Sequence, residues 1–386
     1  MGKPSVTALI VAAGSGRRLN SDLPKQFHQV GGKAVVRLAV EAMLAHPAID
    51  SVRVVIGEGQ ESLAAEALAG IDVGGFIRGG ATRQESVRSG LEALASEGAP
   101  DLVLIHDAAR PFCPPEVIDR LLKALSTNSA AVPALPAADT LMRGKGRQLG
   151  EAVDRTHLNR IQTPQAFHFA QILEAHRAKA AENFSDDATL FRSALMGVVR
   201  VEGDEALNKL TLPGDFQRAE ERFRANLVAR TGIGFDVHAF GGEGPVMLGG
   251  IAIPHSSGLA GHSDADVVLH AITDALLGAA GLGDIGEHFP PSDPQWSGAS
   301  SDRFLDHAVE IIRSGGGIID HVDCTIVCEE PKVGPHRSDM RARVADIIGL
   351  DQRHVSIKAT TTDGLGFTGR REGIAAQAVA TVRIER

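Results

Sequence analysis

A nearly continuous apolar run, Val6–Ala12, has the length of a strand buried on both faces. Beyond it, helical spacing of apolar positions alternates with short apolar blocks. The pattern predicts helices at Val35–Ala45, Glu61–Leu68, Arg83–Ala95 and Val117–Leu125. Strands are expected at Val52–Ile56, Leu102–Ile105 and Ala130–Val132. Such alternation predicts an α/β domain with a mostly parallel sheet and helices on both faces. Ligands of these sheets bind beyond the carboxyl ends of the strands, so the loops after Val11, Ile56 and Ile105 are where chemistry is expected.

A charged helical stretch, Asp215–Ala229, has no internal Gly or Pro. The rhythm then changes to a Gly-rich strand, Thr231–His238. Helices at Ala265–Ala280, Asp302–Ser314 and Arg337–Ile348 follow, with strands at Ile318–Cys328, Val355–Ala359 and Ile374–Ile384. This second half reads as a smaller α+β domain with a mixed or antiparallel sheet. The expected domains are 1–229 and 230–386, with no long linker between them and a core in each.

Composition narrows the classes. A net charge of −9 speaks against nucleic-acid binding. No apolar run approaches the ~18 residues that cross a bilayer. The run after Lys3 is followed at once by Gly14-Ser15-Gly16-Arg17-Arg18, which fits a strand feeding a phosphate loop better than a signal peptide. Three cysteines (Cys113, Cys324, Cys328) are too few for a disulfide framework, so a reducing cytoplasm is expected. Of 39 basic and 48 acidic residues, 13 and 21 lie after residue 229, as do nine of the 15 histidines. An acidic, His-rich half suits a divalent metal.

The glycines after the first strand let backbone N–H groups approach phosphate oxygens, and Arg18 and Lys25 add positive charge. Taken alone, this is also the description of a tight turn with solvated basic residues. The wider pattern resembles the 2-C-methyl-D-erythritol 4-phosphate cytidylyltransferase family over about residues 5–227. The matching segments are Ala12–Arg18, Leu23-Pro24-Lys25-Gln26-Phe27, Gly79-Gly80, Arg83–Val87, His106–Pro111, Val153-Asp154-Arg155, Thr163-Pro164-Gln165 and Lys209-Leu210-Thr211. The resemblance implies a Rossmann-like nucleotidyltransferase domain. In it, Arg18 and Lys25 neutralise the α-phosphate of CTP under attack, and Arg155 and Lys209 position the attacking sugar phosphate. Ala13, Gly14, Gly16 and Gly80 would hold the nucleotide, with Ser86 reading the cytosine. Asp107 would act on the ribose or Mg²⁺ side, and Ser185, in a motif where many relatives carry threonine, would touch substrate.

In the second half, Asp236 and His238 are two apart on a strand and so share one face. With His270 on the next helix they offer three ligands and an open fourth position, the pattern of a catalytic Zn²⁺ site. The segments Gly234–Phe240, Gly261–Val267, Gly283–Gly286 and Lys358–Arg370 resemble the 2-C-methyl-D-erythritol 2,4-cyclodiphosphate synthase family over about residues 231–384. The resemblance implies Zn²⁺ on Asp236, His238 and His270, and transition-state stabilisation by His262 and Thr361. Ser263 and Asp284-Ile285-Gly286 would hold the sugar. Thr360, Thr362, Asp363, Phe367 and Arg370 would contact the diphosphate and a second cation, Mg²⁺ or Mn²⁺, an ion also expected at the first site. Asp363 stands where many relatives have Glu, and Pro291 replaces a carboxylate found in some of them.

The implied reactions are the first and third of three successive steps, with a separate kinase between them. Implied partners are small molecules, CTP and methylerythritol phosphates, without nucleic acid or membrane. Trimeric second domains and dimeric first domains are also implied, a combination that a hexamer satisfies. Two readings compete: a sugar-1-phosphate nucleotidyltransferase with an unrelated metal module, and a non-catalytic nucleotide-binding regulator.

Overall fold

The computed structural model describes residues 3–14, 23–194, 197–261, 263–290 and 299–385. The chain divides into two units, Met1–Glu221 and Arg222–Arg386. Among the described residues, no helix is long and apolar enough to cross a membrane.

The first unit begins with β1 (Val6–Ala12), a small hairpin of β2 (Gln29–Val30) and β3 (Lys33–Ala34), α1 (Val35–Leu44) and β4 (Ser51–Ile56). It continues through α2 (Glu61–Ala67), β5 (Phe76–Arg78), α3 (Arg83–Glu97), β6 (Leu102–Asp107), α4 (Pro115–Leu125) and β7 (Ala130–Pro136). Next come β8 (Leu141–Lys145), β9 (Gln148–Val153), β10 (Asn159–Ile161), β11 (Gln165–His168), α5 (Phe169–Ala178), α6 (Asp187–Ala194) and β12 (Val198–Glu202). Helix α7 (Pro213–Ala225) leads into the second unit.

The main sheet has the order β10-β7-β11-β6-β1-β4-β5, with β12 also pairing to β7. The β1–β4, β1–β6, β4–β5 and β7–β12 pairs are parallel. Alternate residues of β1 enter different cores, as the pleat requires. Ala8, Ile10 and Ala12 pack with Val36, Val40, Ile118 and Leu121 of α1 and α4. Leu9 packs on the other face with Val87, Leu91 and Ile172 of α3 and α5. Each fully buried Leu or Ile contributes ~1.5–3 kcal/mol. Burying both faces leaves the strand ends and the loops beyond them to face solvent.

The second unit contains β13 (Leu227–Ala239), β14 (Val246–Leu248), β15 (Ile251–Ile253), α8 (Val267–Ala280), α9 (Ile285–His288) and α10 (Asp302–Ser314). They are followed by β16 (Ile318–Val327), α11 (Arg337–Ile348), β17 (Val355–Thr360), α12 (Gly366–Gly369) and β18 (Gly373–Glu385). Its sheet runs β13-β18-β16-β17, and only the β16–β17 pair is parallel. Gly232 and Gly234 let α8 lie almost on the strand. A Cβ at Gly234 would stand 2.8 Å from the Ala275 nitrogen, and one at Gly232 would collide with Ala275 and Ala279. Small residues on both elements thus set how closely helix and strand approach.

The expected helix over Asp215–Ala229 ends instead at Ala225. Leu227, Val228 and Ala229 are drawn into β13, opposite Glu385, Ile384 and Arg383 of β18. Ladder pairing there outweighs local helix preference, which is high for Leu227 and Ala229. The expected strand Ala130–Val132 runs on through Pro133 to Pro136, because Pro133 and its neighbours still pair with β12. The three cysteines are unpaired and buried. Burial pushes the Cys113 and Cys324 thiols up to about 12 and the Cys328 thiol up to about 11.

Candidate active sites

In the first unit, the loops after β1, β5 and β6 converge on one cleft of about 370 Å³. Ala13, Gly14, Lys25, Gly80, Ser86, Asp107 and Lys209 all line it. Gln26 shapes its floor. This buried amide donates to the carbonyls of Ala12 (2.5 Å) and Gly14 (3.0 Å), turning the chain as it leaves the sheet. Across the cleft, Ser86 on α3 donates to the Thr82 carbonyl (2.8 Å) and accepts from the Gly80 N–H (3.2 Å). Thr82 and Glu85 form a capping box that starts α3 at this point.

Asp107 is the electrostatic centre of the cleft. It ends β6 and is buried, with ion pairs to Lys209 (2.6 Å), Arg83 (3.0 Å) and Arg110 (3.9 Å). Burial alone would push its carboxyl up, but the Arg83 and Lys209 charges hold it well below the usual carboxylate range. Arg83 also meets buried Asp187 (2.8 Å), which in turn meets His176 (3.2 Å). Behind Asp107, His106 is fully buried between the Thr163 hydroxyl (3.1 Å) and the Arg110 carbonyl (2.9 Å). Burial lowers its pKa to about 4, so the ring is neutral near pH 7.

Two expected residues lie away from this cleft. Arg155 is exposed, with a guanidinium that bonds to the Ala138 carbonyl, and Ser185 is exposed just before α6; neither is among the cleft's lining residues. Gly16, Arg18, His262 and Pro291 fall outside the described residues.

In the second unit, Asp236 and His238 extend from β13 on the face that carries Gly232 and Gly234, toward α8 and His270. Asp236 Oδ2 is 2.9 Å from His270 Nδ1 and 3.2 Å from His238 Nε2, and the two nitrogens are 3.4 Å apart. Ligands ~2.0–2.1 Å from a tetrahedral ion stand roughly 3.3 Å from one another, so this trio fits a divalent metal without rearrangement. Its outer contacts agree: His238 Nδ1 bonds to the Ala260 carbonyl (2.7 Å), which leaves Nε2 on the ligand side. Burial opposes ionisation of Asp236, yet the His238 and His270 imidazoles beside it hold its carboxyl well below the usual range. The Asp236 hydrogen bond raises His238.

Ser263 Oγ lies 3.2 Å from His270 Nε2. Asp284 caps α9 through the Glu287 N–H (3.0 Å), and the Ile285 N–H, just before Gly286, donates to Asp274 (2.8 Å). Thr360 ends β17. In the loop beyond it, the Thr361 hydroxyl bonds to Asp363 (3.2 Å) and the Thr362 hydroxyl to the Leu365 carbonyl (2.6 Å). Asp363 takes a left-handed φ of 50°, and Glu329 braces the loop by accepting from the Thr362 (3.3 Å) and Gly364 (3.2 Å) amides. Phe367 is 37% exposed, and Arg370 grips Glu372 through two bonds of 2.9 Å.

Sequence reasoning passed over Gln26, Arg83, Asp187, Glu329, Asp264 and Ser301. Gln26, Arg83, Asp187 and Asp264 stood inside quoted motifs but were given no role. The others have partners distant along the chain, and nothing in local spacing marks them.

The sequence pattern described as 2-C-methyl-D-erythritol 4-phosphate cytidylyltransferase matches residues 6–225, and that of the YgbB family matches residues 229–383. A protein of Rhizorhabdus wittichii described as a bifunctional enzyme IspD/IspF is 57% identical over 384 residues, covering 99% of each chain. One of Novosphingobium aromaticivorans with the same description is 52% identical over 379 residues, covering 98% of this chain and 97% of that one. The solved structure of the bifunctional IspDF from Campylobacter jejuni is 31% identical, covers 98% of both chains and superposes with a TM-score of 0.52.

Proposed function

Because this chain belongs to the bifunctional IspD/IspF family, and is thereby an enzyme with cytidylyltransferase and cyclodiphosphate synthase domains in the methylerythritol phosphate route to isoprenoids, we propose how its residues divide the work. The proposed functional division is 1–229 and 230–386. The observation that carries the reading is that residues remote in sequence assemble into two separate clusters of fitting chemistry, one in each unit.

In the first reaction, a phosphate oxygen of 2-C-methyl-D-erythritol 4-phosphate attacks the α-phosphorus of CTP. The bond to the bridging β-phosphate oxygen breaks, and pyrophosphate leaves. The nucleophile is already anionic and needs no base. Lys25, with Arg18, neutralises the charge that builds on the α-phosphate oxygens. Lys209 positions the sugar phosphate; Arg155 and Ser185 are proposed as further contacts although they do not line the cleft within one chain. Ser86 and the backbone of Ala13, Gly14, Gly16 and Gly80 hold the nucleotide. Asp107 keeps Lys209 in place and faces the ribose or a Mg²⁺ or Mn²⁺ ion.

In the second reaction, the 2-phosphate of 4-diphosphocytidyl-2-C-methyl-D-erythritol 2-phosphate attacks the β-phosphorus, and CMP leaves. Asp236, His238 and His270 are the residues that would hold Zn²⁺, which when bound supplies a Lewis-acid charge that offsets repulsion between the two anionic groups. Ser263 and Asp284–Gly286 orient the sugar. His262 and Thr361 stabilise the transition state. Thr360, Thr362, Asp363, Phe367 and Arg370 hold the diphosphate and a Mg²⁺ or Mn²⁺ ion, and Arg370 must loosen Glu372 to do so.

The assembly belongs to the same proposal. Thr360 pairs with Val327, Val327 with Ala375, and Ala375 with Val237. The phosphate loop and the metal trio are therefore three strand spacings apart in one chain, roughly 14 Å. One diphosphate does not span that distance, which supports sites completed by a neighbouring copy. Ile233 (66% exposed), Phe235 (60%) and Val237 (39%) present an apolar stripe on the face of β13 away from α8, suited to packing between copies in a trimer. In the first unit, the hairpin of β8 and β9 exposes Leu141, Met142 and Leu149, suited to a dimer, and both contacts together make a hexamer. A cytoplasmic location is proposed from the unpaired, buried thiols.

The test is metal analysis of the purified chain combined with separate assays of each reaction. One zinc per chain, CTP-dependent release of pyrophosphate and CMP release from the second substrate are expected. Equal use of UTP, or full cyclisation after exhaustive zinc removal, would refute the reading. Light scattering that finds a monomer at working concentration would refute the assembly.

A further inference from the structure

The reading of Asp236, His238 and His270 as zinc ligands, on which this inference rests, requires each imidazole to point a lone pair at the ion. For His270 the nitrogen on the ligand side is Nδ1, 2.9 Å from Asp236 Oδ2. A neutral ring with a free Nδ1 carries its proton on Nε2. That nitrogen is 2.8 Å from Ser301 Oγ, at the start of α10.

Ser301 is fully buried, and its hydroxyl also bonds to Asp264 Oδ1. Its backbone N–H donates to both oxygens of the same carboxylate, at 3.2 Å each. An ionised carboxylate only accepts. The Ser301 hydroxyl proton is therefore committed to Asp264, and the Ser301 oxygen can only accept from His270. The opposite tautomer, protonated on Nδ1, would need the serine proton to turn toward Nε2. A carboxylate oxygen and a hydroxyl oxygen would then face each other with no proton between them.

We propose that Ser301 and Asp264 form a positioning relay, from His270 Nε2–H to the Ser301 hydroxyl to the Asp264 carboxylate, which fixes the metal-binding tautomer and ring orientation of His270. Ser263 Oγ is the next acceptor for Nε2, at 3.2 Å, and it already receives the Ala265 N–H at 3.1 Å. Loss of Ser301 thus leaves a poorer acceptor in place. Outer-shell partners of this kind change metal affinity by about 10–100-fold.

The experiment uses the full chain. Zinc affinity is measured by competition with a chelator, and ligand geometry by the visible spectrum of the cobalt-substituted protein. Ser301→Ala is expected to weaken zinc by about 10–100-fold and to shift the cobalt bands. Ser301→Thr restores the hydroxyl and is expected to recover most of the affinity. Asp264→Asn keeps the shape but offers an amide donor to Ser301, and it is expected to weaken zinc as Ser301→Ala does. Thermal melts of the zinc-free proteins report folding independently of the metal. Wild-type affinity and an unshifted spectrum in Ser301→Ala would overturn the relay while leaving the zinc site standing. Ser301→Thr as weak as Ser301→Ala would also overturn it, reducing the residue to packing. A wild-type chain that binds no zinc would overturn both the relay and the site.

Discussion

In the first unit Arg83, Arg110 and Lys209 are all tied to the Asp107 carboxylate inside the protein. In the second unit a carboxylate and two imidazoles face one another across distances that suit a shared ion, and their outer atoms are tied to a carbonyl and a hydroxyl. On the proposed reading, the same problem, anionic oxygen attacking phosphorus, is met once by organic cations that are part of the chain and once by an arrangement suited to an added ion. Part of the first site's charge is spent within the fold itself, so substitutions there affect folding and chemistry together. The proposed metal site separates them more cleanly, because an ion held by three side chains is expected to be removable without altering the chain.

The largest effects should divide the two activities. Lys25→Ala is expected to lower cytidylyl transfer by about 10²–10³-fold, the scale of losing one transition-state donor. Cyclisation by the same protein should continue at full rate, and Asp236→Ala should do the reverse, with loss of bound metal by elemental analysis. Equal damage to both reactions by either variant would break the comparison. Next is Arg83→Met, which leaves two buried carboxylates without their shared cation. It should destabilise the first unit by about 3–5 kcal/mol in denaturant unfolding. Smaller, and readable by pH, is His106. An unfolded histidine takes up a proton near pH 6.5, but the folded one does so only at about 4. Stability should be fully present above pH 6.5 and fall by about 3 kcal/mol as acid passes through that window. In His106→Gln, unfolding midpoints between pH 6.5 and 4 should change less. The smallest is Thr82→Ala, which removes half a capping box and should cost about 1 kcal/mol.

The fold was legible where burial imposes a period. β1, α4 and α8 each form close to where their apolar spacing places them. The exposed hairpin of β8 and β9 was not, since strands whose residues nearly all face solvent carry no alternation to read. The metal trio was legible because Asp236 and His238 are spaced for one strand face and His270 stands on a motif-bearing helix. The Asp107–Arg83–Asp187 chain was hidden, because the tertiary fold joins residues from α3, β6 and α6 whose separations have no period. Ser301 was hidden likewise: a serine at the head of a helix reads as a cap, yet no side-chain cap bond is made there.

Strand β13 has a practical consequence for anyone who wishes to cut the polypeptide in two. It begins at Leu227, and its first three rungs join Glu385, Ile384 and Arg383 near the far terminus. A gene fragment opening at residue 230 would delete those rungs and leave the tail of β18 without its neighbour. A fragment that keeps Leu227 is the better starting point for producing the cyclising half alone.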